Sequence, residues 1–141
     1  TDKGPSGHGI WGDYNNDGWL DFYSWAGGKL YRNESGKKFV DATPKVLAER
    51  PMKVSRGAAW VDIDNDGYLD LYVAGYEIWQ KAVYADALFR NVGGKDFVAH
   101  ALPKARNMSA RGVSAADFDS DGDVDVYVSQ LSPLSKPSVA Q

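Results

Sequence analysis

Three copies of one short pattern constrain this chain more than any other feature. Residues 13–23 read DYNNDGWLDFY, residues 62–72 read DIDNDGYLDLY and residues 117–127 read DFDSDGDVDVY, so the pattern returns after 49 and then 55 residues. A unit that short cannot hold a core alone, and neighbouring units must bury one another's apolar faces. A second motif follows the first two copies: LYRNESGKKFVDAT from Leu30 and LFRNVGGKDFVAHA from Leu88. Asp21 and Asn33 are 12 residues apart, whereas Asp70 and Asn91 are 21 apart. The insertion around residues 76–87, YEIWQKAVYADA, accounts for the longer second period and reads as loop variation between fixed strands. The third copy has no second half and runs into a tail rich in Ser and Pro. The expected organisation is one unit over 7–50, a second over 51–105, the first hairpin of a third over 106–130, and a tail or linker over 131–141.

Each unit reads as β-structure. The apolar run Leu69, Leu71, Tyr72, Val73 and Ala74, bounded by Gly67 and Gly75, has the form of a short strand buried on both faces. A second run precedes the aspartates, GAAWV at 57–61 and GVSAA at 112–116, which makes each aspartate segment the connection of a β-hairpin. The Leu-aromatic-Arg-Asn segment and the Phe39-Val40 or Phe97-Val98 segment, separated by Gly-containing turns, supply a third and a fourth strand. Four short antiparallel strands in about 50 residues match a propeller blade, so the predicted class is all-β, with about two and a half four-stranded blades of a larger propeller. Only PKVLAER, residues 44–50, reads as a helical turn.

The charge pattern supports this reading. Sixteen of the nineteen acidic residues are aspartate, and only Glu34, Glu49 and Glu77 are glutamate. Glutamate favours helices, whereas aspartate favours turns and hard-metal sites. Twelve of the aspartates fall inside the three repeated windows. The Lys and Arg residues are scattered and form no basic run, which argues against a nucleic-acid partner. There is no cysteine, and hence no disulfide, thiolate zinc site or cysteine nucleophile. No apolar stretch approaches 18 residues, so membrane insertion is not expected. The chain begins at Thr1 without an apolar leader and reads as a piece of a longer protein. Its open strand edges call for further blades of the same propeller or a protein partner.

Each window carries oxygen side chains at positions 1, 3, 5 and 9 and glycine at position 6: Asp13, Asn15, Asp17 and Asp21; Asp62, Asp64, Asp66 and Asp70; Asp117, Asp119, Asp121 and Asp125. Alternate positions can wrap oxygens around one centre, and a main-chain carbonyl at position 7, from Trp19, Tyr68 or Asp123, can add another. Calcium takes six to eight such ligands, magnesium demands a stricter octahedron, and zinc prefers His or Cys, which these windows lack. Position 12 is Ser24, Val73 or Val128 rather than the bidentate glutamate of a helix-loop-helix calcium site. Asp, Asn and Gly also favour turns for their own reasons. Turn chemistry does not explain like charges crowded at one spacing in three copies, which repel unless a cation offsets them. Three calcium sites are therefore expected.

The combination of D-x-[DN]-x-[DN]-G-x-x-D hairpins with the LFRN…G…F segment resembles the FG-GAP/VCBS repeat family, in particular its cartilage-acidic-protein-like branch, and the calcium-binding blades of integrin α-subunit propellers. The resemblance covers roughly residues 7–130. It implies an extracellular, cell-surface or periplasmic location and a role in adhesion, matrix or surface assembly, with carbohydrate binding in some members.

The remaining polar residues point to no catalysis. His8 and His100 stand in no metal-spaced cluster, and no G-x-S-x-G, H-E-x-x-H or phosphate-loop motif occurs. The clustered carboxylates are already assigned, leaving no base beside a nucleophile, so the chain is read as a non-enzyme. Arg32-Asn33 and Arg90-Asn91 recur at matching positions and read as structural. Asn33-Glu34-Ser35 and Asn107-Met108-Ser109 match glycosylation acceptors. Most of the aromatic residues are expected to fill the wedge between blades. Stacking of a glycan on Trp25 or Trp79 is the alternative, lectin-like reading.

Overall fold

The computed structural model describes residues 7–50, 55–78, 82–102 and 109–131. Strands β1 (Gly9–Gly12), β2 (Asp21–Ser24), β3 (Lys29–Asn33) and β4 (Phe39–Asp41) form a four-stranded antiparallel sheet in sequence order, followed by the single turn α1 (Lys45–Ala48). Strands β5 (Ala58–Val61) and β6 (Asp70–Val73) open a second sheet. After the insertion, in which β7 (Tyr76–Ile78) pairs with β8 (Ala82–Tyr84), β9 (Ala87–Val92) and β10 (Asp96–His100) complete it in the order β5-β6-β9-β10. Strands β11 (Ser109–Ala116) and β12 (Asp125–Leu131) form a third, two-stranded sheet. This is the up-and-down strand order of propeller blades, and the described residues are nearly all β.

Both second strands are buried on both faces, as their continuous apolar runs require. Alternate residues of one strand serve opposite neighbours. Tyr23 and Leu30 of the first sheet pack with Leu71, Phe89 and Phe97 of the second, with Trp60 against the same cluster. Val61, Tyr72 and Leu88 leave the other face of the second sheet to meet Val113, Val126 and Val128 of the third. The core is thus a series of layers between sheets. The helical turn expected within residues 44–50 is α1, and its Leu47 is buried in the first layer.

One expectation is corrected. The insertion at residues 76–87 is not loop alone, because β7 and β8 make a hairpin of their own, with Tyr76 opposite Tyr84 and Ile78 opposite Ala82. It is tied down at its base, where the Tyr72 hydroxyl and the Gly75 N–H both donate to Asp86. A Cβ on Gly75 would lie 2.1 Å from the Tyr84 carbonyl oxygen, so the two ends of the hairpin approach as closely as they do only at a glycine.

Candidate metal loops

Each aspartate window connects the first two strands of its sheet, and the three windows share one hydrogen-bond plan. The position-1 carboxylate accepts two main-chain N–H groups: Asp13 from Asp17 and Gly18, Asp62 from Asp66 and Gly67, Asp117 from Asp121 and Gly122. The position-5 carboxylate accepts from position 7: Asp17 from Trp19, Asp66 from Tyr68, Asp121 from Asp123. Position 4 is held left-handed in all three, with φ of 56° at Asn16, 55° at Asn65 and 63° at Ser120. Asn tolerates that region better than most residues, which accounts for the Asn-Asp-Gly core of the first two windows.

Position 9 has a second task that sequence reasoning missed. Asp21 accepts the Tyr14 N–H on one carboxylate oxygen and the Asn33 N–H on the other. Asp70 does the same with Ile63 and Asn91. These aspartates close the loop onto its own start and clasp the third strand to the hairpin, and both are fully buried. Among the described residues Asp125 accepts only the equivalent first bond, from Phe118, and it is exposed. The signal was present in the constant presence of an Asn in the LYRN and LFRN segments, but the spacing of 12 in one unit and 21 in the other hid the pairing.

The electrostatics follow from burial. Loss of water pushes the Asp21 carboxyl up to about 6, against the pull of its two main-chain donors and with the help of nearby Asp17 and Asp13. Burial raises Asp70 in the same way, with Asp64 and Asp66 adding repulsion. In the second loop Asp62, Asp64 and Asp70 bring carboxylate oxygens within 4.8 Å of one another, and in the third Asp117, Asp119 and Asp125 do so. These donor sets are hard oxygens on the inner side of a tight turn, chemistry that suits calcium and not zinc. Each carboxylate oxygen has a lone pair beyond the one its N–H partner uses, so the turn and a cation are compatible. In the first loop Asn15 takes position 3 and donates to Asp17, 3.0 Å away. In the second, Arg90 already meets Asp64 at 3.1 Å.

The other candidates fall as follows. His100 is exposed on β10, and His8 is exposed and stacks on Trp25 with ring centres 6.4 Å apart. Trp25 is partly buried against the first core layer, while Trp79 and Asn107 lie outside the described residues. Trp60 sits between two sheets as the wedge expectation has it. Trp11 and Trp19 do not, and remain about half exposed. No helix among the described residues is long and apolar enough to cross a membrane.

Sheets of blade topology, joined in series and each opening on an aspartate hairpin, define a repeat protein of the β-propeller type. Residues 13–73 match the family model of the FG-GAP-like repeat. The matched segment is similar to that repeat, and it runs from the first aspartate of the first loop through the second loop to the last residue of β6. No curated protein matches the chain. A repeat of this kind points to a β-propeller-like interaction module, a class that is generally structural rather than catalytic.

Proposed function

We propose that this chain is a non-catalytic, calcium-binding propeller segment that serves as an adhesion or protein-interaction module outside the cell, at its surface or in the periplasm. The observation that carries the reading is the recurrence of one oxygen cluster at one position of three successive hairpins, with carboxylate oxygens within 4.8 Å of one another in the second and third. Calcium would be held by Asp13, Asn15, Asp17 and Asp21, by Asp62, Asp64, Asp66 and Asp70, and by Asp117, Asp119, Asp121 and Asp125, with the carbonyls of Trp19, Tyr68 and Asp123 completing the shells. The ion would offset repulsion among carboxylates and make the loops rigid, as a surface presented to a partner requires. The location outside the cell rests on the family alone.

Thermal unfolding in excess calcium and in excess chelator tests this reading. A ligand that binds only the folded chain adds about 2.7 kcal/mol at 100 times its Kd, so calcium should raise the melting temperature by several degrees. An unchanged melting temperature together with no calcium uptake by calorimetry would refute it. A glycan array separates the interaction module from the lectin-like alternative.

A further inference from the structure

The sequence contains three Asp-Gly pairs, Asp17-Gly18, Asp66-Gly67 and Asp121-Gly122, and all three occupy positions 5 and 6 of the aspartate loops. In such a pair the main-chain nitrogen closes readily on the preceding side-chain carboxyl, because glycine carries no Cβ to obstruct the approach. The loops hold every pair in one geometry. The carboxyl accepts the N–H two residues on at 2.9 Å in each copy, which folds it back along its own Asp–Gly peptide bond. The glycines are left-handed, with φ of 86°, 86° and 99°, and a Cβ built on any of them would meet nothing within 4 Å. Both residues of each pair are exposed, so water reaches the bond.

The glycine N–H also has a carboxylate in place to take its proton. Gly18 donates to Asp13 at 2.8 Å, Gly67 to Asp62 at 2.9 Å and Gly122 to Asp117 at 3.1 Å. All three distances lie within the reach a general base needs. We infer that each loop is a site of intrachain isomerisation, in which the glycine nitrogen attacks the position-5 carboxyl and the position-1 carboxylate carries the proton. The N–Cγ bond forms and a carboxyl C–O bond breaks. The proton passes from nitrogen through the position-1 carboxylate to the departing hydroxyl, which leaves as water. A second water then opens the five-membered imide. Opening at the side-chain carbonyl restores aspartate, whereas opening at the main-chain carbonyl leaves isoaspartate, with the chain running on through Cβ. Water is the only other reactant, and nothing is oxidised or reduced.

The product changes the loop. Isoaspartate lengthens the main chain by one atom at position 5 and moves the carboxyl onto Cα, so the oxygens of positions 1, 3, 5 and 9 no longer converge on one centre. An ion held by the position-5 carboxyl would in turn draw it away from the glycine nitrogen. That protection rests on the calcium binding proposed above, whereas the ring closure does not. The order of reaction follows from the clasps. Closure turns the Asp–Gly peptide plane, and Asp21 and Asp70 resist this by tying their loops to Asn33 and Asn91 of the third strands. Among the described residues Asp125 makes no such bond, so Asp121 reacts first.

Ageing of the full chain tests this. Held for weeks at neutral pH and body temperature in excess chelator, it should accumulate isoaspartate at Asp121 first and at Asp17 and Asp66 later, located by electron-transfer fragmentation of tryptic peptides. Asp117→Asn keeps an oxygen for the Gly122 N–H but takes no proton, and should slow conversion at Asp121 several-fold while Asp17 and Asp66 convert at their usual rates. Removing a residue that only steadied the loop would leave the rate unchanged or raise it, and that result overturns the inference. So does an Asp121 that stays intact in chelator, or isoaspartate spread evenly over all the aspartates. Asp121→Glu, which needs a six-membered ring, is the second variant should Asp117→Asn fail to fold, and a signal that persists at that position is equally fatal. Excess calcium should suppress conversion. Equal rates in calcium and chelator would count against the calcium reading and leave the ring closure standing.

Discussion

The side-chain amide of Asn91 donates to the main-chain carbonyl of Tyr14, 2.8 Å away and 77 residues earlier in the chain. The same nitrogen donates to Leu69, the side-chain oxygen accepts the Gly94 N–H, and the Asn91 N–H donates to Asp70. One fully buried residue thus ties the turn between β9 and β10, the second aspartate loop and the first aspartate loop together. The surrounding approach is close enough that a Cβ on Gly94 would fall 2.8 Å from the Tyr14 neighbour Asn15.

Replacing Asn91 by leucine should therefore destabilise the fold by roughly 2–3 kcal/mol, because it leaves the buried carbonyl of Tyr14 and the part-buried Leu69 carbonyl and Gly94 N–H without their partner. Asn33→Leu removes the equivalent residue where no earlier blade lies among the described residues, and should cost less. Urea unfolding of both variants checks the order. Equal losses would show that Asn91 acts only within its own sheet.

Gly12 is required by a neighbour rather than by its own backbone angles. A Cβ there would lie 2.5 Å from Trp60 Cδ1 and 2.7 Å from Nε1. Trp60 also buries that Nε1 without a hydrogen-bond partner, so the ring is held by packing alone. Gly12→Ala should cost about 1–3 kcal/mol as an overpacked core does. Trp60→Leu in the same background should recover part of that loss. A double-mutant cycle with no coupling would contradict this contact.

Much of this architecture was legible before any coordinates. The aspartate hairpins, the strands on either side and the turn at α1 followed from period, glycine placement and apolar runs, because each depends on residues close in sequence. The hairpin of β7 and β8 was not legible, since Tyr76–Ile78 and Ala82–Tyr84 carry no turn signature strong enough to distinguish a hairpin from a loop. The clasp made by Asp21 and Asp70 was hidden for a different reason: a carboxylate that accepts two N–H groups and one that faces a cation look alike in sequence. The faces of the sheets emerged only when register showed that Trp11, Phe22, Tyr31 and Phe39 repeat Trp60, Leu71, Phe89 and Phe97.

Alkaline pH should unfold the chain. Burial raises the phenols of Tyr14, Tyr23 and Tyr72 above their ordinary value of 10.0, most strongly at Tyr72, where the hydroxyl also donates to Asp86. Their neutral forms stabilise the fold fully below about pH 10, where the unfolded chain begins to ionise, and that stability is lost as pH rises towards the higher folded values. Denaturant midpoints should hold level from about pH 8 to 9.5 and then fall. Tyr72→Phe should flatten the decline, and a midpoint insensitive to pH 11 would contradict the assignment.

The three loops should release calcium in a defined order. The first offers three side-chain carboxylates and the neutral Asn15, whereas the second and third each offer four, and affinity for a hard cation grows with ligand charge. The second loop is handicapped by Arg90, whose guanidinium lies 3.1 Å from Asp64 and must yield to an incoming ion. The third has five aspartates and, among the described residues, no such ion pair. The first loop should therefore empty before the third by at least tenfold in calcium concentration, a difference of about 1.4 kcal/mol, and before the second by a smaller margin. Arg90→Gln should tighten the second loop and leave the first unchanged, because the charge it removes is local and partly screened by solvent. Amide resonances of Gly18, Gly67 and Gly122, one per loop, report each site separately in an NMR titration. If the Gly18 signal saturates at the lowest calcium concentration, or Arg90→Gln weakens the Gly67 site, ligand charge does not set the order.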